Sequence, residues 1–152
     1  MAANHPIADM ARRRAIPVAI TGSAWQHIGM IVVHEEITQS ELLLRYASGQ
    51  RHFSNLNITD DGSDALVGAR LDSIELIDSF VHANFRGASL RNATVHANVK
   101  TCDFTDADLS GADFQGSALC STTFLGAKMD GADFTDAYYH GYDLAAGEKP
   151  DW

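Results

Sequence analysis

The chain has 152 residues, of which 45% are apolar and 20% charged, and its formal net charge is -9. That suffices for one domain with a packed core and excludes two of ordinary size. The acidic balance argues against non-specific attraction to nucleic acid or an anionic membrane, so an electrostatic partner is expected to be basic.

Residues 1–37 read as an N-terminal segment, partly extended. Arg12, Arg13 and Arg14 precede a mostly apolar stretch from Ala15 to Val33, but Pro17, Gly22, Gln26, His27 and Gly29 interrupt it. No small-residue cleavage site follows a proper apolar run, so neither a membrane anchor nor a signal peptide is expected. Met30 to His34 is β-rich and predicts a strand. Residues 38–52 predict a capping helix: Thr38-Gln39-Ser40-Glu41 has capping-box spacing before Leu42, Leu43, Leu44 and Tyr46. Glu41 can pair with Arg45, and Gly49 is placed to end a helix from about Ser40 to Ser48. Phe53 and Ile58 then look like an imperfect first turn of a repeat, and Thr59 to Asp64 reads as a loop before Leu66.

From Ala69 to Tyr139 one periodicity dominates. Large or branched apolar residues stand at Leu71, Leu76, Val81, Phe85, Leu90, Val95, Val99, Phe104, Leu109, Phe114, Leu119, Phe124, Met129, Phe134 and Tyr139. The spacing is five residues except for two four-residue steps, Val81 to Phe85 and Val95 to Val99. Two residues before each centre stands Ala, Ser, Thr or Cys, and only Ile74 breaks the rule. Neither a helix nor a continuous strand has a period of five, so every repeat needs a turn. If each centre and the small residue before it both point inward, every edge of a narrow coil contributes one large and one small side chain, which is what close packing there permits. The short steps are expected to mark distorted corners or bulges. At the first of them Val81 and Ser79 are placed inward and Phe80 outward, because centring on Phe80 would bury the Asp78 carboxylate.

The runs Ala107-Asp108-Leu109-Ser110-Gly111, Ala112-Asp113-Phe114-Gln115-Gly116 and Ala132-Asp133-Phe134-Thr135-Asp136 resemble the consensus of the pentapeptide-repeat family. The resemblance implies an all-β solenoid: a right-handed quadrilateral parallel β-helix of about four coils over residues 53–144, with the short N-terminal capping α-helix before it and a C-terminal tail over 145–152. With roughly twenty residues per coil, Phe85, Phe104 and Phe124 should form one column, extended by Leu144. Val95, Phe114 and Phe134 should form a second, and Leu90, Leu109 and Met129 a third. Each large side chain so buried is worth roughly 1.5–3 kcal/mol, an upper estimate.

Tyr142 falls at a small-residue position, so the coil should stop near Tyr139 or Leu144. Two readings of this end stay open: the tail folds back as a lid, or two chains pack end to end as a homodimer through Tyr138, Tyr139, Tyr142 and Trp152.

Polar groups on a convex rod diverge, so no catalytic, cofactor or metal site is expected and the chain does not read as an enzyme. His82, His96 and His140 have no partner at metal-ligand spacing. Cys102 replaces an inward Ala and should be an inert buried thiol, whereas Cys120 should face solvent. Two cysteines without CxxC spacing fit a reducing, cytoplasmic setting. Residues 53–144 hold fourteen acids against five bases, while residues 1–52 are nearly balanced. The candidate interaction surface is therefore Asp103, Asp108, Asp113 and Asp133, with Phe80 as an exposed apolar contact. The expected function is a non-catalytic scaffold whose acidic surface binds a basic protein, without direct nucleic-acid or membrane binding. The resemblance implies an alternative, a DNA mimic that binds a type II topoisomerase such as gyrase and confers quinolone or toxin resistance.

Overall fold

In a computed structural model of the chain, residues 33–151 are described. The apolar stretch after Arg14 and most of the strand expected at Met30 to His34 lie outside them. The chain divides into units Met1–Glu35 and Glu36–Trp152, and the second holds the helix and the repeats. Strand β1 (Glu35–Thr38) leads into helix α1 (Gln39–Ala47). The turn between them forms because the Thr38 hydroxyl accepts the Glu41 N–H at 3.1 Å, and Glu41 in turn accepts from Arg45 Nε at 3.1 Å. Leu42 is fully buried, and the Tyr46 hydroxyl ties the helix to the Asp72 carbonyl at 2.7 Å.

After α1 the strands β2 (His52–Ser54), β3 (Leu56–Thr59), β4 (Glu75–Val81) and β5 (Thr94–Asn98) pair in parallel, with β1 beside β3. Beyond β5 the pairing continues as a series of short parallel bridges. Ser89 meets Arg70 and Asp108, Asp108 meets Lys128, and Asp113 meets Thr94 and Asp133. Partners nineteen or twenty residues apart define successive turns of one parallel solenoid. All fifteen centres are buried, as are most of the small residues two places before them, so both line the lumen. Phe85, Phe104 and Phe124 stack at centroid distances of 4.9 and 5.4 Å with nearly parallel rings. Phe114 stacks on Phe134 at 5.0 Å and meets Phe104 edge-on at 5.8 Å, so two aromatic columns interlock across the lumen.

The period of five has a backbone cause. Two residues after each centre from Leu66 to Phe134 the chain takes a positive φ, as at Ser73, Asn92, Asp106, Gly116 and Ser121, and only Val81 and Val95 lack this corner. These two centres open the four-residue steps. The residue missing from a short step is thus the left-handed corner residue, and the strand runs through without turning. The long neighbour absorbs the mismatch. Leu76 pairs with Val95, but after a register shift between Ile77 and Phe80 the next pair is Phe80 with Asn98. The bulge expected at the short step therefore lies in the five-residue edge opposite it, near Asp78, because the shorter edge is already extended and the longer one carries the surplus residue.

Irregular corners leave backbone groups off the ladder, and small polar residues in the lumen take them up. The buried Ser117 hydroxyl donates to the Val95 carbonyl and accepts from the Ala97 N–H at 3.4 Å. Thr122 donates to the Val99 carbonyl at 2.8 Å, and the Cys102 thiol to the Val81 carbonyl at 3.2 Å. Ser79 donates to Ile77 and accepts from Leu56 N–H at 3.1 Å.

The parallel series ends at β6 (Tyr138–Tyr139), which turns at His140–Gly141 and pairs antiparallel with β7 (Tyr142–Asp143). Leu144 is buried but does not extend the Phe85 column, since this reversal sets its N–H on the Ala137 carbonyl at 2.9 Å.

Candidate functional site

Asp103, Asp108, Asp113 and Asp133 occupy the outward position just before their centres, each half-buried. Each carboxylate accepts the N–H two residues on, at Thr105, Ser110, Gln115 and Thr135, within 2.9–3.0 Å. They are turn-builders as well as surface charges. The Ser110 hydroxyl holds the Asp108 carboxyl below its ordinary range, and the Thr135 hydroxyl does the same for Asp133.

The four aspartates do not form one patch. Asp103 pairs with Asn84 and Thr123, Asp108 with Ser89 and Lys128, and Asp113 with Thr94 and Asp133, so the first three lie on successive sides of the coil. Only Asp113 and Asp133 are neighbours. Their repulsion is eased on the Asp133 side by a neutral amide donor. His96 Nε2 lies 3.0 Å from Asp113, at ion-pair distance but not turned to donate a hydrogen bond, and Gln115 Nε2 donates to Asp133 at 2.9 Å. Asp103 is 3.9 Å from Arg86.

Phe80 is 50% exposed and stands in a different row, with Asn57, Asn98, Ala118 and Tyr138. Val81 and Ser79 point inward beside it. Among the tyrosines grouped as an end surface, Tyr138 and Tyr142 are exposed, but Tyr139 is buried as a lumen residue and its hydroxyl donates to the Asp151 carbonyl. Trp152 lies outside the described residues. The tail folds back over the coil end: Lys149 Nζ donates to the Met129 carbonyl at 2.7 Å and Pro150 is buried.

Burial pushes the Cys102 thiol up to about 12, which makes it unreactive. Cys120 lies just outside the lumen and is partly exposed to solvent. No group of three metal-ligating side chains converges among the described residues, and no described helix is long and apolar enough to cross a membrane. At the coil end a groove of about 420 Å³ is lined by Ser121 to Phe124 on one wall and by Tyr139, His140 and Asp151 on the other. Sequence reasoning missed it, because it arises from the reversal after Tyr139. Tyr142 at a small-residue position was the one signal for that reversal.

Residues 102–138 match the family model for pentapeptide repeats in eight copies. No curated protein is matched. Among solved structures, a pentapeptide repeat protein from the cyanobacterium Cyanothece 51142 is similar at 21% identity over 64% of this chain, with a TM-score of 0.30, and this chain spans 58% of its length. One from Nostoc Pcc 7120 is 26% identical over 71% of this chain and 91% of its own, with a TM-score of 0.32. One from the Arabidopsis thaliana thylakoid lumen is 32% identical over 48% of this chain and 66% of its own, with a TM-score of 0.24.

Proposed function

The chain belongs to the pentapeptide-repeat family, and from that premise we propose that it is a non-catalytic scaffold, a right-handed, four-sided β-helix of about four coils that binds a basic protein through its acidic sides. The observation that carries this reading is the fixing of carboxylates around a rigid tube. Asp103, Asp108, Asp113 and Asp133 are each clamped by the N–H two residues further along the chain, so a partner meets charges already in place and loses little side-chain entropy in engaging them. Outward-pointing polar groups that diverge favour binding over catalysis. A reducing, cytoplasmic setting suits the unpaired Cys102 and Cys120. End-to-end self-association would engage Tyr138 and Tyr142.

The test compares wild type with the double variant Asp113→Asn, Asp133→Asn as bait in a pull-down, since Asn keeps the turn bond while removing the charge. A basic protein retained by wild type and lost by the variant supports the reading; an identical retained set overturns it.

The spread of aspartates over successive sides favours a second reading, a DNA mimic, because charge wrapped around a rod is closer to a duplex than a single patch is. Inhibition or protection of gyrase in a supercoiling assay, with and without a quinolone, supports it. An assay unmoved by excess protein rejects it.

A further inference from the structure

The last coil is closed on one side only. Tyr138 and Tyr139 pair with β7, and Asp136 N–H bonds the Leu144 carbonyl at 2.8 Å. On the side from Thr122 to Gly126 the Thr122 carbonyl and the Phe124 and Gly126 N–H groups have no hydrogen-bond partner among the described residues. One coil earlier the equivalent groups are all engaged. The Cys102 carbonyl accepts Thr123 N–H at 3.1 Å, while Phe104 and Asp106 N–H donate at 2.8 Å to the Thr123 and Leu125 carbonyls.

That contrast specifies what fits. Acceptor, donor and donor recur at strand spacing, a pattern met by another extended backbone and not by side chains alone. The first part of the open edge, Thr122 to Phe124, forms one wall of the groove beside Tyr139, while the Phe124 ring stays buried in the lumen. The next side of the same coil is guarded, since Lys128 projects from it and Lys149 is strapped to Met129, and lysine is a common device for blunting strand edges. From Thr122 to Gly126 no charged residue stands guard, and Leu125 is 55% exposed.

We propose that the Thr122–Gly126 edge receives an extended segment of a partner protein by strand addition, with basic residues flanking the segment. The basic preference follows from Asp151, the one acid lining the groove, and from Asp106, whose carboxylate stands over the Gly126 corner. Strand addition here needs nothing from the acidic sides of the tube, so its failure would leave the scaffold reading untouched.

The experiment is amide hydrogen exchange by NMR on the full chain. The probe is a synthetic peptide with the sequence of residues 121–127 between two lysines at either end, since that strand already pairs with the equivalent edge one coil earlier. In the free protein the Phe124 and Gly126 amides should exchange at least about tenfold faster than those of Phe104 and Asp106. Saturating peptide should slow both at least about tenfold, and N-methylation at the peptide's copy of Thr123 should abolish the effect. Three outcomes overturn the proposal: Phe124 and Gly126 already protected in the free protein, no slowing with peptide, or equal slowing by the methylated peptide. Protection that rises with protein concentration alone also overturns it and assigns the edge to a second copy.

Discussion

The coils from Cys102 to Tyr138 and those from Phe53 to Thr101 share one lumen but close their corners differently. In the first region every step has five residues and every corner a left-handed residue, so the backbone ladder runs without a register shift up to the open Thr122–Gly126 edge. In the second, two corners are missing, β4 bulges against β5, and Ser79, Cys102, Ser117 and Thr122 bond the groups left over. A hydroxyl in this lumen is thus a repair to the coil beside it. The family model covers residues 102–138, the region where no repair of its own steps is needed.

The largest effect is expected where the two regions depend on one another. Phe104→Ala removes the middle ring of the Phe85 column and its edge contact to Phe114, and should cost about 3–5 kcal/mol in chemical denaturation. A loss below about 1 kcal/mol would show that the column does not carry stability across the boundary.

Ser117→Ala moves the sequence toward the repeat consensus yet should destabilise by about 1–3 kcal/mol, because it strands the Val95 carbonyl and the Ala97 N–H. Ala112→Ser, the reverse change beside an intact corner, should also destabilise, since its hydroxyl finds no vacant partner. Denaturation of both variants checks the repair role, and a neutral Ser117→Ala removes it.

Corner strain gives a smaller effect. Gly116→Ala meets no neighbouring atom, so its cost of about 1–2 kcal/mol should come from the left-handed backbone alone. Ser121→Gly at an equivalent corner should raise the midpoint slightly.

The smallest effect concerns acid. Hydrogen bonds from Ser110 and Thr135 depress the folded-state values of Asp108 and Asp133, so their stabilisation is present above the unfolded-state value of 3.8 and lost as pH falls through the lower folded values. Asp108→Asn should flatten that acid limb while changing little near neutrality, as stability curves across the acid range would show.

Much of the solenoid was legible because its lumen is linear in sequence: a large and a small residue recur together, and packing allows little else. Ser79, Phe80 and Val81 could be oriented from the cost of burying Asp78 alone. The corners were half legible, since glycine marks a positive φ but Ser73, Thr101 and Ser121 take one without advertising it. Position before a centre said that Asp103, Asp108 and Asp113 point outward. Counting steps around the coil put Phe104, Leu109 and Phe114 in three separate columns, which already set the aspartates before them on different sides. The end was least legible: the antiparallel reversal after Tyr139 and the groove beside it arise from contacts between separate stretches of chain, and no local period encodes them.

Since each circuit is fastened only to those directly above and below it, duplicating one of about twenty residues within the regular stretch would lengthen the rod by roughly 4.8 Å without disturbing α1 or the C-terminal hairpin. A gene carrying such a unit holds an adjustable ruler, and reach can evolve separately from whatever the two tips do.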